Sequence, residues 1–260
     1  MAFPKSVKTP VSLVEVIAPK VYNLRKLEFK IISFGGSINV LTKVRSDEED
    51  IIATYGAGSY HTNKSSLKYT SGERFGENWS FAGRVSQITS DGYRNNHAST
   101  QRAVSLGAEY IERNVSHKFT GLIGYENTDL LWDGVYGDDI FDREKRKAGS
   151  KNFTDDFLQQ IYALNSRFKL QNGSIFHNTI YLVSGSGYYE SNKSDVKFYD
   201  YNLDTVTDTS YADTMTNLLR RKWLKNRYIG VIPQWTTQTE WYRLDIGGEI
   251  RYYTGDHYGH

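Results

Sequence analysis

The chain has 260 residues, with 32 Lys and Arg against 30 Asp and Glu, so no global charge draws it toward nucleic acid. It has no Cys, which excludes a disulfide framework, a cysteine zinc site and a thiol nucleophile. Mean hydropathy is −0.58 and no apolar run approaches the roughly 18 residues of a spanning helix, but a transmembrane barrel leaves only a weak hydropathy trace.

Residues 1–33 read as irregular: three of the four prolines (Pro4, Pro10, Pro19) lie there, with no apolar stretch or cleavage site of a signal peptide. A short apolar strand is expected over 36–43. A pair follows at 50–60 and 63–70, joined by a tight turn. Further strands are expected at 78–88, 101–112, 116–126, 157–170, 173–189, 227–237 and 241–254, all rich in Tyr, Phe, Trp, Val, Ile and Thr. One or two helical turns are expected over 217–224, inside a loop.

Alternation is clearest in three segments. Val104, Leu106, Ala108 and Tyr110 oppose Ser105, Gly107 and Glu109. Trp79, Phe81, Gly83 and Val85 oppose Ser80, Ala82, Arg84 and Ser86. Leu244, Ile246, Gly248 and Ile250 oppose Arg243, Asp245, Gly247, Glu249 and Arg251. A period of two places such sets on opposite faces of a sheet. By itself this also describes a soluble antiparallel sheet with one wet face.

Connection lengths and strand lengths favour a membrane barrel. After residue 70 the links alternate between short (71–77, 113–115, 171–172, 238–240) and long (89–100, 127–156, 190–226). Long loops on one side and tight turns on the other is the pattern of an outer-membrane barrel. The expected strands also match the about 9–11 residues of a tilted membrane strand better than the about 5–6 of soluble ones. On this pattern 127–156 and 190–226 are extracellular and 171–172 is periplasmic.

Several segments, in order, resemble TonB-dependent outer-membrane receptors. FGGSINVLTK at 34–43 is similar to the last plug strand before the barrel. WSFAGRVS at 79–86 and SDGYRN at 90–95 are similar to the third barrel strand and its loop. LIGYENT at 122–128, WDGV at 132–135, GSGYYE at 185–190, RRKWL at 220–224 and YYTGDHYG at 252–259 continue the likeness. The resemblance implies residues 1–45 as an irregular N-terminus with a remnant of the plug, and 46–260 as part of the receptor barrel. Plugged transporters have about 22 strands. The expected barrel strands here number nine, so the chain is expected to be a fragment: a curved open sheet that does not close alone. The segment 21–33 and the absence of a terminal aromatic strand depart from the family pattern.

No catalytic constellation stands out, and neither enzymatic activity nor a cofactor is expected. Six His are scattered without metal-ligand spacing. Asp129, Asp133, Asp138, Asp139 and Asp142 cluster in the first long loop, but their spacing matches no EF-hand, and the basic run 143–147 balances them. The loop aromatics carry more information. Trp132, Tyr136, Tyr188, Tyr189 and Trp223 are the candidate ligand-binding residues, since amphipathic rings serve ligand pockets. They equally suit an interfacial aromatic girdle.

By resemblance, the protein is expected in the outer membrane of a Gram-negative bacterium, contacting outer-membrane lipid and a small nutrient ligand. The family takes up ferric siderophores, cobalamin, haem or glycans, and a ferric siderophore is the first expectation. TonB would engage only the intact receptor. The alternative is a soluble β-sandwich that binds carbohydrate or mediates adhesion.

Overall fold

A computed structural model describes residues 43–131, 134–148, 153–197, 200 and 215–259, together with the backbone of 5–9. Its strands are β1 (Lys5–Thr9), β2 (Glu49–Gly58), β3 (Thr62–Ser71), β4 (Trp79–Ser90), β5 (Ser99–Glu112), β6 (Val115–Leu130), β7 (Phe153–Lys169), β8 (Ile175–Lys197), β9 (Met215–Gln238), β10 (Arg243–Gly247) and β11 (Ile250–Gly259). One sheet holds them all, in the order β1-β11-β9-β8-β7-β6-β5-β4-β3-β2, with β10 also on β9. Every pair is antiparallel. From β2 to β9 this is a meander, in which each strand pairs with the next in sequence, and β10 and β11 both pair with β9. The sheet is open: the outermost strands β1 and β2 are not paired with each other.

The expected strands from 50–60 to 241–254 are all present, with four corrections. First, residues 217–224 are strand and not helical turns. β9 runs 24 residues against the 23 of β8, so this part of the chain finds its partners across the ladder. Cross-strand pairs such as Tyr188 with Trp223 outweigh a weak local helical tendency. Second, the long loops shrink to 131–152 and 198–214 as their flanking strands extend.

Third, the last expected strand is split. β10 and β11 follow one register against β9 but are interrupted at Gly248 and Glu249, opposite Pro233 and Ile232. The Gly248 N–H donates to the Pro233 carbonyl at 3.1 Å. Proline has no N–H to return, so the ladder breaks at this point. Fourth, the N-terminal region is not wholly irregular, because residues 5–9 pair with β11 from His257 to Tyr253. An exposed edge offers N–H and C=O groups to any extended segment that reaches it. Of the expected strand at 36–43, residues 36–42 lie outside the described residues and Lys43 is irregular.

Register sorts the side chains onto two unlike faces. An apolar face carries Val104, Leu106 and Ala108 of β5. Direct pairing extends it through Val85, Gly83 and Phe81 on β4 and through Ile123, Gly121 and Phe119 on β6. The same rows reach Leu164 and Tyr162 on β7, Ile180 and Leu182 on β8, Val231 and Ile229 on β9, and Ile250 and Tyr252 on β11. The opposite, polar face carries small and charged residues, among them Ser105, Gly107, Arg84, Lys68 and Thr120.

Burial runs opposite to that of a soluble domain. Among the described residues only Val44 and Phe153 are buried hydrophobics. The large apolar side chains are exposed instead, with Leu106 at 57%, Ile229 at 50% and Ile250 at 64%. A monomeric soluble protein rarely exposes a contiguous apolar patch beyond a few hundred Å². Val44 is buried because it lies on the polar face against Gly107, where a Cβ would come within 2.5 Å of its Cγ2. The segment entering β2 therefore crosses the polar face and leaves the apolar one bare.

Aromatic rings border the apolar face near both ends of the strands. At the short-turn end Trp79 lies 4.9 Å from Tyr110 and 5.8 Å from Phe81, and Phe168 lies 5.6 Å from His117 and 6.3 Å from Phe176. At the long-loop end Trp223 is flanked by Tyr188 at 4.7 Å and Tyr258 at 6.0 Å. Between the two rows the face is mainly aliphatic.

Candidate functional site at the loop end

The meander brings four connections to one end of the sheet: 59–61, 91–98, 131–152 and 198–214. The connections at the other end, 72–78, 113–114, 170–174 and 239–242, are short. Length asymmetry thus survives the corrected boundaries, although 59–61 is itself a tight turn on the loop side. Tyr60 and His61 adopt positive φ there, and Tyr60 meets Tyr93 edge to face at 5.6 Å.

Two of these loops are bound together. The loop 131–152 contains a 3₁₀ turn, Gly137–Phe141, and a short helix α1, Arg143–Lys147. Asp142 caps that helix, its carboxylate accepting from the Glu144 and Lys145 N–H groups at 2.9 and 3.3 Å. The Lys145 ammonium pairs with Asp139 at 2.5 Å, which raises its pKa above the usual lysine value. The helix end is fastened to loop 91–98. Arg94 donates to the Ala148 carbonyl at 2.8 Å and the Asn95 N–H to the Lys147 carbonyl at 2.8 Å. Two acids of the Asp cluster therefore serve the loop's own structure, and no group of three or more metal-ligating side chains is assembled among the described residues.

The candidate aromatics separate. Tyr136 is 77% exposed on the loop. Tyr188 and Trp223 are brought together, but on the apolar face, in the aromatic row described above. Tyr189 lies on the opposite face of the same strand, and the Lys222 ammonium sits 5.5 Å from its ring. Trp132 lies outside the described residues. Tyr136 and Tyr189 are thus the described candidates away from the apolar face.

Charged partners that sequence reading missed hold this end in place. Glu190 is buried, and its carboxylate accepts from Arg221 at 2.7 and 3.1 Å and from the Thr154 N–H at 3.0 Å. The same guanidinium lies over the Tyr188 ring at 4.1 Å. These contacts tie β7, β8 and β9 together next to the long loops. Only the Arg-Arg-Lys run at 220–222 hinted at them, since the Glu190–Arg221 pairing depends on register between residues 31 positions apart.

The polar face holds a second network lower down. Tyr181 crosses Gly230, where a Cβ would stand 2.4 Å from its ring, and its hydroxyl donates to Glu249. Glu249 lies at the break in the ladder, next to Gly248, which stands opposite Pro233. Beside it, Tyr253 donates to Asn226 at 2.9 Å. Replacing Gly230 by Leu is expected to displace Tyr181 and abolish this bond. Tyrosine fluorescence and urea unfolding in detergent micelles check this, and a Gly230→Leu protein matching the parent in both contradicts it.

No protein-family model matches this chain, and no curated protein matches it.

Proposed function

We propose that this chain is the membrane-spanning part of an outer-membrane receptor that takes up a scarce nutrient with energy supplied through TonB. The observation that carries this reading is the bare, mainly aliphatic face that runs across the meander and is bordered near both strand ends by aromatic rings. Hydrocarbon accommodates such a face, and interfacial girdles accommodate such rings. The strand lengths and the gathering of long loops at one end support the same reading. The single-layer sheet supports it over a sandwich, which packs two sheets. A ferric siderophore as the nutrient rests on the resemblance alone.

Hydrocarbon does not tolerate unpaired strand edges. In this proposal the outer edges of β1 and β2 are covered by further strands, and the polar face lines the interior. Loops 131–152 and 198–214 then face the exterior and provide the ligand entrance, with Tyr136 and Tyr189 at its rim.

Protease added to intact cells is expected to cut within 131–152 and 198–214 and to spare 170–174 until the outer membrane is opened. Cleavage confined to 170–174 in intact cells inverts the topology. Recovery of the protein in the soluble fraction without detergent removes the membrane reading altogether.

A further inference from the structure

The apolar face carries two adjacent cations on β9, besides Arg102 on β5, which donates to Gln87 at 3.1 Å. On β9 the outward positions run from Trp235 through Pro233, Val231 and Ile229, and then become Arg227 and Lys225 before Trp223. Both β9 cations are exposed, while their neighbours Asn226 and Tyr228 on the polar face are not. Their direct cross-strand neighbours are Ser184 and Thr254 for Arg227, and Ser186 and Asp256 for Lys225. Among the described residues neither cation makes a hydrogen bond or an ion pair. The nearby carboxylates are otherwise engaged. Glu190 takes Arg221, and Asp156 accepts from Tyr125 and Asn127. Among the described residues Asp256 is the one carboxylate directly across from the pair, leaving a net positive charge among the hydroxyls of Ser184, Ser186 and Thr254.

The position of this patch is informative. It lies directly between the aliphatic band and the aromatic row Tyr188–Trp223–Tyr258, the depth at which amphipathic rings meet lipid headgroups. A cation there needs an anion or an escape to water. Alternate residues on one strand face stand about 6.6 Å apart. That spacing lets a planar guanidinium and an ammonium engage one phosphate group together.

We propose that Arg227 and Lys225, with Ser184 and Ser186, form an outward-facing site for the phosphate of an anionic lipid headgroup. The site rests on the reading of this face as lipid-facing. It commits to a membrane lipid and not to a free anion, because the patch is bounded on its other side by Leu182, Ile229 and Tyr252, where acyl chains lie.

The test uses the protein in dodecyl maltoside micelles, titrated with phosphatidic acid in the same detergent and followed by native mass spectrometry. Binding is expected, and K225Q/R227Q is expected to weaken it about 30-fold, from the usual contribution of two interfacial cations. Arg84→Gln, which removes a cation from the polar face, is expected to leave it unchanged. Millimolar inorganic phosphate is expected not to compete. Equal loss in Arg84→Gln, unchanged binding in K225Q/R227Q, or full competition by inorganic phosphate overturns the site while leaving the membrane reading in place. A protein that stays monodisperse without detergent overturns both.

Discussion

Arginine at position 106 is expected to destabilise the membrane-inserted protein by about 2–4 kcal/mol, whereas arginine at position 105 is expected to be mild. Leu106 is the middle of the outward run on β5, with Val104 and Arg102 on one side and Ala108 and Tyr110 on the other. It is 57% exposed and its direct neighbours are Gly83 and Gly121, neither of which offers a polar partner from its side chain. In hydrocarbon a guanidinium there must reach past two residues before it meets water. Ser105 points the other way, beside Arg84 and Leu122 on the polar face, where an added cation keeps its hydration. Urea titrations of both variants in the same micelles give the comparison. Equal destabilisation at the two positions removes the assignment of faces, and with it the lipid-facing reading.

Alanine at Gly187 is expected to cost about 1–3 kcal/mol, the range for forcing extra volume into a packed site, while alanine at Gly124 is expected to be neutral or slightly stabilising. Both glycines lie on the polar face of paired strands. A Cβ on Gly187 would come within 2.0 Å of the Asp156 carbonyl oxygen and 2.7 Å of the Phe157 Cα, so β7 and β8 must part at that point. Nothing lies within 4 Å of a Cβ on Gly124. The strain at Gly187 falls next to Tyr188 and Glu190, so loss of the Arg221 contact should accompany it. Midpoints of unfolding in micelles, with unchanged denaturant dependence, check the difference. A Gly187→Ala protein as stable as Gly124→Ala contradicts the close approach of these two strands.

The aromatic row at the loop end changes what the candidate ligand residues mean. Tyr188 and Tyr189 are neighbours in sequence and identical in chemistry, yet strand geometry sends them to opposite faces. Tyr188 packs at a tilt against Trp223 under the Arg221 guanidinium, while Tyr189 meets Lys222. Only the second pair is placed to serve the proposed interior.

Period-two alternation, a local property, made the all-β class, the strand positions and the two faces legible from the sequence alone. Val104 to Tyr110 and Trp79 to Val85 each declared a face without any knowledge of their partners. Turn chemistry such as Asn172-Gly173, with Gly173 at a φ of +80°, marked the tight connections. The tertiary structure decided whatever depends on register between distant segments. It made 217–224 a strand, because pairing with the extended β8 outweighs a short helical tendency. It placed Glu190 against Arg221, and it brought residues 5–9 to the edge of β11. It also turned Pro233, visible in the sequence as an interruption, into a break in the opposite strand at Gly248 and Glu249. Cross-strand hydrogen bonds join residues far apart in the chain, and no local pattern encodes which of them meet.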